Sequence, residues 1–333
     1  MKKTITVAIP TYNRPTQILG LLNHFVDKYI LYTEFIDIKL LVFDNSDNEE
    51  TNIILNKSSI LKNSWIRYNK NNTNLGFDKN ILELYLNSTT DYVLLFGDDD
   101  FPEENIFLNI TRGLESNPDI LLLPFRQPLS LKVTQYQTEP FSLETNDAVK
   151  AILAITKNGK ISSFVFRKIP FNIESYKRVL EFDQTGWMHL VLAFEILYST
   201  INFKVTTLNT FCARALSDQN VKNLDWVPIA FIQFNILLKH PFIWSFRKNI
   251  DILKTWDGIY LTGIMLTCWG ASTAWEVKGV SVKDYIKFGK DYPFRIYLFR
   301  KPIFLFYWIL LKLNLSKIFI KHFIFLSERG GYK

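Results

Sequence analysis

The sequence has few of the residues that build disulfide or zinc frameworks. Among 333 residues there are two cysteines, Cys212 and Cys268, and they form no CxxC pair. This scarcity argues against a disulfide-stabilised scaffold and a structural zinc site, and it is typical of a reducing compartment. The opening residues, MKKTITVAIP, contain no apolar stretch long enough for a signal peptide before Pro10.

Two glycine motifs that bind nucleotides are also missing. The chain has no GxxxxGK[ST] segment, and no GxGxxG follows its first apolar run. Both motifs hold phosphate through the backbone N–H groups of a glycine-rich loop. The phosphates of a bound nucleotide would therefore need another counter-charge, and a divalent cation held by carboxylates is the obvious alternative.

No apolar run reaches the roughly 20 residues that a membrane-spanning helix needs. The longest uncharged run near the end, IFLFYWILL at 303–311, has nine residues. Residues 285–333 carry ten Lys or Arg and two acids, whereas the whole chain has a formal net charge of +7. We expect this basic, aromatic tail to lie on an anionic membrane surface, and the alternative is packing against the protein itself. A near-neutral remainder argues against nucleic-acid binding.

The first 125 residues contain an alternation of strand and helix patterns. Short apolar runs predict buried strands at 5–10, 38–44, 65–69, 92–96 and 119–125. Helices are predicted between them at 16–29, 48–56, 80–86 and 104–116. The pattern predicts an α/β fold with a mostly parallel open sheet and helices on both faces, a fold that binds ligands beyond the carboxyl ends of its strands.

The second half has weaker patterns. Residues 126–160 are polar and are interpreted as an irregular insertion, followed by a strand at 159–168, a helix at 184–198 and one or two strands at 203–214. Helices are predicted at 227–240 and about 249–269. We therefore expect one domain over 1–215, with halves at 1–125 and 126–215, and a helical, aromatic-rich region over 216–333.

Polar residues gather after three of the predicted strands. They are Thr11, Tyr12, Asn13 and Arg14 after the first strand, Asp44 to Asp47 after the second, and Asp98, Asp99 and Asp100 after the fourth. Three adjacent carboxylates repel one another, and a hard cation such as Mg²⁺ or Mn²⁺ would offset that repulsion. The alternative is a turn followed by a helix whose first turn contains Pro102.

Four motifs in order resemble family 2 glycosyltransferases over roughly residues 4–125. They are IPTYNRP, VFDNSD, NLGFDKN (74–80) and LLFGDDD. The resemblance implies a Rossmann-like glycosyltransferase A fold, a nucleoside diphosphate sugar as donor with UDP favoured, and Mn²⁺ or Mg²⁺ as cofactor. The segment EFDQTGWMHLVL (181–192) is further similar to bacterial abequosyltransferase-type enzymes of surface polysaccharide synthesis.

The resemblance also implies roles for individual residues. Those expected to line the nucleotide pocket are Pro10, Thr11, Tyr12, Arg14, Asn74, Gly76 and Asn80. Asp44 would accept a hydrogen bond from the base. Asp100 would bind the metal, Asp98 the metal or the ribose, and Asp99 the donor sugar. The alternatives are that Asp44 caps the next loop, that Arg14 merely begins a helix, and that Asn80 lies on a helix surface.

Inverting transfer needs a carboxylate that takes the proton of the acceptor hydroxyl. The Glu-Asp pair usual for the family in the second half is not present here. Asp183 is the predicted base, with Glu181 and Asp218 as the other candidates. The alternative for Asp183 is the N-cap of the helix that follows.

Three further residues complete the predicted site. Trp187 is expected to stack on an acceptor sugar. His189 would touch the acceptor or a phosphate, unless it is a core residue. Arg214 would bind the diphosphate, unless it forms a surface salt bridge.

These predictions combine into a metal-dependent inverting glycosyltransferase with a donor half at 1–125 and an acceptor half at 126–215. Its acceptor is expected to be a growing, lipid-linked bacterial surface glycan such as capsule, O-antigen or lipooligosaccharide. The expected location is the cytoplasm, peripheral on the inner face of the membrane. The alternative is a catalytically inactive glycan- or membrane-binding protein on the same fold, which the missing Glu-Asp pair favours. A Mg²⁺-dependent phosphotransferase is disfavoured, because no nucleophilic Asp pattern follows the first strand.

Overall fold

The computed structural model describes residues 2–126, 142–215 and 233–252. The chain divides into two compact units, residues 1–219 with 240–242, and residues 220–239 with 243–333. All of the strands given below belong to the first unit. The predicted tail at 285–333 lies outside the described residues, and the predicted domain boundary at 215 stays a prediction.

Eight strands of the described chain form the main sheet. They are β1 (Thr4–Thr11), β2 (Asp37–Asp44), β3 (Ile66–Lys70), β4 (Tyr92–Leu95), β6 (Ile120–Leu122), β8 (Leu143–Thr145), β9 (Phe164–Arg167) and β10 (Val205–Thr207). A second, three-stranded sheet consists of β5 (Asp100–Pro102), β7 (Phe125–Arg126) and β11 (Ala213–Ala215). The strand orders are β3-β2-β1-β4-β9-β6-β10-β8 and β5-β11-β7.

The helices agree with the sequence pattern in the first half and depart from it later. Their bounds are α1 (Pro15–Thr33), α2 (Glu50–Lys57), α3 (Phe77–Asn87), α4 (Ile106–Leu114), α5 (Ala148–Lys157), α6 (Ile173–Leu180), α7 (Met188–Ser199) and α8 (Pro241–Trp244). The helix predicted at 227–240 is, over its described part, a 3-10 helix at Gln233–Lys239. Most of the helix predicted at 249–269 lies outside the described residues.

The predicted open α/β sheet is confirmed, but two of its eight strands, β9 and β8, run antiparallel to the others. Strands β3, β2, β1 and β4 are parallel, whereas β9 lies antiparallel between β4 and β6, and β8 is antiparallel to β10. The sheet is therefore mixed. An apolar run carries no signal of strand direction, because a buried strand needs the same side chains in either orientation.

The interpretation of residues 126–160 as an irregular insertion is wrong for its described part. Residues 142–160 contain the edge strand β8 and the helix α5. Helix α5 forms because Ala151, Ile152 and Ile155 recur at helical spacing and are buried, and because the Asp147 side chain accepts a hydrogen bond from the Lys150 backbone N–H. Residues 127–141 lie outside the described part.

Helix α7 is buried on all sides over its first ten residues. Its one acid, Glu195, is 0 % exposed and accepts two hydrogen bonds from Arg178 of α6, at 2.9 and 2.7 Å. The Nε2 atom of His240 lies 3.3 Å from Glu195. Burial alone would raise the pKa of Glu195, but these partners outweigh it and lower the pKa to about 2. The ion pair of Arg178 and Glu195 therefore persists at any physiological pH.

The strand order reverses between β1 and β4. Strand β1 pairs with β2 on one side and with β4 on the other side. In open α/β sheets this reversal opens a crevice beyond the carboxyl ends of the strands. None of the helices in the described residues is long and apolar enough to cross a membrane.

Candidate functional site

The predicted polar residues meet at the carboxyl ends of β1, β2 and β4. Thr11 is in register with Asp44 on the neighbouring strand, and the Asn45 N–H donates to the Thr11 carbonyl at 2.9 Å. On the other side of β1, the Phe96 N–H donates to the Ala8 carbonyl at 3.0 Å. The loops after all three strands therefore begin at the strand-order reversal.

Arg14 joins the loop after β1 to the acidic cluster. Its Nη1 atom lies 2.6 Å from Asp98 Oδ1 and 3.0 Å from Asp99 Oδ2. The Thr11 hydroxyl donates to Asp98 Oδ2 at 2.7 Å, so both oxygens of Asp98 accept hydrogen bonds. Asp98 is 5 % exposed, and burial raises its pKa although Arg14 and Thr11 act against that rise. Arg14 is also the N-cap residue of α1. It therefore both begins a helix, as in the alternative, and contacts the acidic cluster.

Asp100 is the second buried acid of the cluster. The Ser162 hydroxyl donates to Asp100 Oδ2 at 2.5 Å, and no described residue donates to Oδ1. Burial and the nearby Asp99 raise the pKa of Asp100 to about 7. A Cβ at Gly97 would lie 3.0 Å from Asp100 Oδ2 and 3.1 Å from Asp99 Oδ1, so a larger residue would push these carboxylates by a few tenths of an ångström.

The alternative in which the three aspartates cap a helix is wrong. Asp98 and Asp99 form a turn, and Asp100 begins β5, which pairs with β11. Pro102 lies in that strand rather than in a helical turn. Helix α4 begins only at Ile106. The acids therefore have no helix terminus to stabilise.

Asp44 is fully buried and already hydrogen-bonded. Its Oδ1 accepts from the Ser46 N–H at 2.8 Å and from the Ser46 hydroxyl, and its Oδ2 accepts from the Tyr68 hydroxyl at 2.7 Å. The alternative role as a cap for the next loop is confirmed, while contact with a base stays a prediction. Burial and the bond to Asp44 raise the pKa of Tyr68. Tyr68 was not predicted, because a tyrosine on a strand gives no sign of its partner across the sheet.

Tyr12 and Asn13 form the exposed side of the same corner. Tyr12 is 46 % exposed, and its hydroxyl donates to Asp47 Oδ2 at 2.5 Å. Asn13 has a φ of +52°, a left-handed conformation that asparagine tolerates better than most residues. Its N–H donates to the Ser46 hydroxyl at 2.8 Å. Tyr12 therefore presents an aromatic face to solvent beside Asp47, in the loop after β2.

An asparagine network holds the loop before α3 against the end of β2. Asn71 donates to Asn45 at 2.7 Å and to Asn80 at 2.9 Å, and Asn80 donates to the Phe43 carbonyl at 3.2 Å. Asn80 is 2 % exposed, so the alternative of a helix-surface residue is wrong. Its amide is used to hold the loop in place.

Asn74 and Gly76 are exposed residues of that loop. The Asn74 side chain accepts from the Gly76 N–H at 2.9 Å. Gly76 has φ +80° and ψ 166°, a conformation essentially restricted to glycine. A Cβ there would meet nothing within 4 Å, so backbone geometry rather than space demands the glycine.

Asp183 lies in a loop before α7 and pairs with Lys79 of α3, at 3.1 Å. It is not the N-cap of α7. That helix begins at Met188, and its N-cap residue is Trp187, whose side chain makes no capping hydrogen bond. The carboxylate of Asp78 takes that place instead, accepting from the N–H groups of Gly186 at 2.8 Å and Met188 at 3.2 Å. Asp78 was not predicted, since a cap supplied by another helix leaves no local pattern.

The remaining predicted acceptor residues divide by burial. Trp187 is 8 % exposed, which is against the predicted stacking on a sugar. His189 is 3 % exposed among Phe164 and Trp187, and burial lowers its pKa to about 4. His189 is therefore a neutral core residue, and the predicted contact with acceptor or phosphate is wrong. The exposed Glu181 ends α6, and Asp218 lies outside the described residues.

Arg214 lies exposed on β11 opposite Phe101 of β5, with its guanidinium 5.3 Å from the centre of the Phe101 ring. No ion pair of Arg214 occurs within the described parts of the chain, so the surface salt bridge is not seen there. The strand pair places Arg214 one residue from Ala215, which is in register with Asp100. Its predicted contact with the diphosphate stays a prediction.

The acidic cluster offers one carboxylate, that of Asp100, as a ligand for a divalent cation. Residues 2–126, 142–215 and 233–252 contain no group of three His, Cys, Asp or Glu side chains arranged around a metal position. Mg²⁺ is commonly held by one or two carboxylates, with substrate phosphates supplying further ligands. Asp100 offers such a hard oxygen, and the cradle that Gly97 leaves open keeps it in place. The donor set fits a cation shared with a diphosphate.

Comparisons with known proteins agree with this geometry. Residues 6–181, just over half of the chain, match a family model described as glycosyl transferase family 2. The abequosyltransferase RfbV of Salmonella typhimurium is 32 % identical over 120 residues. That alignment covers 35 % of this chain and 34 % of the relative, so it spans about a third of the relative's length.

Solved structures of S. aureus TarS are similar in fold. TarS 1–349 gives a TM-score of 0.61 at 14 % identity, covering 99 % of this chain and 93 % of that chain. A complex of TarS 1–349 with UDP-GlcNAc gives the same values. The longer TarS structure gives 0.60 at 16 % identity over 94 % of this chain and 54 % of that chain. At such identities the likeness concerns the fold, and it confirms the predicted architecture.

Proposed function

Because the chain belongs to glycosyl transferase family 2, we propose that it transfers a sugar residue from a nucleoside diphosphate sugar to a hydroxyl group of a glycan. The observation that carries the proposal is the convergence of Arg14 and the three aspartates at the strand-order reversal. Uridine diphosphate is the proposed nucleotide, supported by the TarS fold, whose solved complexes contain UDP and UDP-GlcNAc.

The donor half of the site is proposed to lie between the loops after β1, β2 and β4. The nucleoside would contact the exposed ring of Tyr12 and the backbone of Pro10 and Gly76. Its base would lie next to Asp44. Asp98 and Asp99 would face the ribose and the sugar. Arg14, which those two acids orient, would stay beside the phosphates. A cation bound at Asp100 would supply electrostatic stabilisation of the leaving diphosphate.

The acceptor half is proposed to depend on Asp183. The acceptor oxygen attacks the anomeric carbon, the bond from that carbon to the diphosphate oxygen breaks, and Asp183 takes the hydroxyl proton. Asp183 is held by Lys79, which is 48 % exposed, and an ion pair of that kind is worth about 0–1 kcal/mol. Asp183 is therefore free to exchange Lys79 for a hydroxyl group at little cost. Inversion at the anomeric carbon belongs to this proposal.

The proposed acceptor is a lipid-linked bacterial surface glycan. Support comes from the match to the abequosyltransferase of Salmonella typhimurium and from the basic, aromatic composition of residues 285–333. Such a tail favours a place on the inner face of the cytoplasmic membrane, where a lipid-linked acceptor is available.

The test combines nucleotide binding with donor hydrolysis. Thermal unfolding is measured with UDP, GDP or CDP, in Mn²⁺ and in EDTA, and hydrolysis of the matching nucleotide sugar follows. A ligand at 100 times its Kd stabilises by about 2.7 kcal/mol. We expect one nucleotide to raise the Tm in a Mn²⁺-dependent way.

Three variants distinguish the roles of the two halves of the site. Asp100→Ala should lose both the Mn²⁺-dependent shift and hydrolysis, whereas Glu104→Ala, an exposed acid of the same segment, should keep both. Asp183→Asn should keep the nucleotide shift but lose transfer to an added acceptor. A wild-type protein that responds to no nucleotide, or an Asp100→Ala variant with full activity, would contradict the proposal.

A further inference from the structure

Ser162 lies beside the acidic cluster although it belongs to a distant part of the chain. It is 0 % exposed and sits in a 3-10 turn, Ile161–Ser163, directly before β9. Because β9 is inserted antiparallel next to β4, the start of β9 meets the end of β4. The insertion therefore brings one hydroxyl group to the turn that carries the aspartates.

The hydroxyl of Ser162 makes two hydrogen bonds in that turn. It accepts from the Gly97 N–H at 2.8 Å and donates to Asp100 Oδ2 at 2.5 Å. The turn itself closes through the Asp100 N–H and the Gly97 carbonyl at 3.3 Å. A serine hydroxyl has a single proton to donate, and here Asp100 receives it. The Ser162 hydroxyl therefore binds both ends of the turn, Gly97 and Asp100.

This arrangement leaves Asp100 with two unequal oxygens. Oδ2 is held by Ser162, and no described residue donates to Oδ1. Hydrogen bonds to a carboxylate are short and strong, so the carboxylate plane is fixed rather than free to rotate. Mg²⁺ and similar ions demand near-ideal octahedral geometry, which makes the direction of each protein oxygen matter.

We propose that Ser162 is a positioning residue that orients the Asp100 carboxylate so that Oδ1 faces the divalent cation of the donor diphosphate. The proposal rests on the proposed function, because it takes Asp100 as the cation ligand. It extends the site to a residue outside the strands β1, β2 and β4. It also gives the antiparallel insertion of β9 a role in the chemistry.

The experiment measures Mn²⁺ affinity in the full-length protein by the EPR signal of free Mn²⁺ in the presence of UDP. We expect Ser162→Ala to weaken Mn²⁺ binding by about tenfold, which corresponds to about 1.4 kcal/mol. Ser162→Cys, which keeps the size but donates weakly, should fall between wild type and Ser162→Ala. Ser163→Ala is the matched control, because Ser163 is equally buried and makes no hydrogen bond to Asp100.

A second measurement separates positioning from general damage to the fold. UDP affinity in EDTA should be nearly the same in wild type and Ser162→Ala, because the cation is absent from both. The thermal unfolding midpoint should fall modestly, because the buried Gly97 N–H loses its acceptor. Higher Mn²⁺ should restore donor hydrolysis by Ser162→Ala to the wild-type maximum.

Each outcome has a definite meaning. Equal Mn²⁺ affinity in wild type and Ser162→Ala overturns the inference while the proposed function stands. A parallel loss of Mn²⁺ affinity and of UDP affinity in EDTA also overturns it, since a structural role alone explains that result. A wild-type protein without Mn²⁺ affinity overturns the proposed cation site, and Ser162 with it.

Discussion

Asp100 has the most perturbed carboxylate of the acidic cluster, with a pKa of about 7 against an ordinary value of 3.8. Burial is the largest cause, and the negative charge of Asp99 is the next. Between about pH 4 and pH 7 the folded protein therefore binds a proton that the unfolded chain releases. The contribution of Asp100 to stability is full below pH 4 and falls as the pH rises to about 7.

We predict that Asp100→Asn raises the thermal midpoint at pH 7.5 in EDTA, because it removes a buried charge that Ser162 and Lys160 offset only in part. The expected gain is at least about 1.5 °C, the shift that about 1 kcal/mol produces in a protein of 333 residues. The gain should shrink at pH 5, where the wild-type carboxyl is protonated. Glu104→Gln, an exposed neighbour, should change the midpoint little at either pH. A lower midpoint for Asp100→Asn at pH 7.5 would contradict the burial argument.

At the scale of elements, the first turn of α3 connects the two halves of the proposed site. Gly76 ends the loop predicted to lie beside the nucleotide, and Lys79 contacts the predicted base Asp183. Between them Asp78 accepts hydrogen bonds from the start of α7. The loop it holds contains Gln184 at φ +67°, an unfavourable conformation for a residue with a side chain. Asp78 therefore stabilises a strained loop from outside.

Replacement of Asp78 by alanine should destabilise the protein by about 1–3 kcal/mol, because α7 loses its cap and two buried N–H groups lose their acceptor. Asp78→Asn keeps one side-chain oxygen and should cost less. Urea unfolding gives the stabilities, and hydrogen exchange of the Gly186 and Met188 amides gives the local effect. If Asp78→Ala matches wild type in both measurements, the cap contributes nothing and the prediction is wrong.

At the scale of the whole molecule, positive charge is concentrated in the last 49 residues, which contain ten basic and two acidic residues. We predict that the protein binds anionic vesicles and releases them at high salt. Neutralising Lys312, Lys317 and Lys321 to glutamine should weaken this binding by about two orders of magnitude, at about 1 kcal/mol per charge. Vesicle flotation with and without phosphatidylglycerol measures the effect.

The control for that prediction is activity in solution. Donor hydrolysis should be unchanged in the triple variant, because those lysines lie outside residues 6–181 that match the family. Binding that is equal on neutral and anionic vesicles would argue for apolar contact instead. No binding to either would favour the alternative in which the tail packs against the protein.

Local sequence patterns are sufficient to predict the first half of the fold and the acidic cluster. Apolar runs of strand length mark β1, β2 and β4 because a buried parallel strand needs them, and the polar residues after them must meet at one sheet edge. Arg14, Asp98 and Asp100 were found in this way, since each lies within a few residues of the strand that positions it.

The groups that those residues contact could not be predicted, because the contacts form between segments that are distant in the chain. The direction of β9, the cap that Asp78 gives to α7 and the hydroxyl that Ser162 gives to Asp100 join segments 62 to 110 residues apart. Contacts over such separations depend on how the strands are ordered, and local patterns carry no record of that order. Burial decided the rest, because it made His189 a neutral core residue and engaged Asp44 with Tyr68.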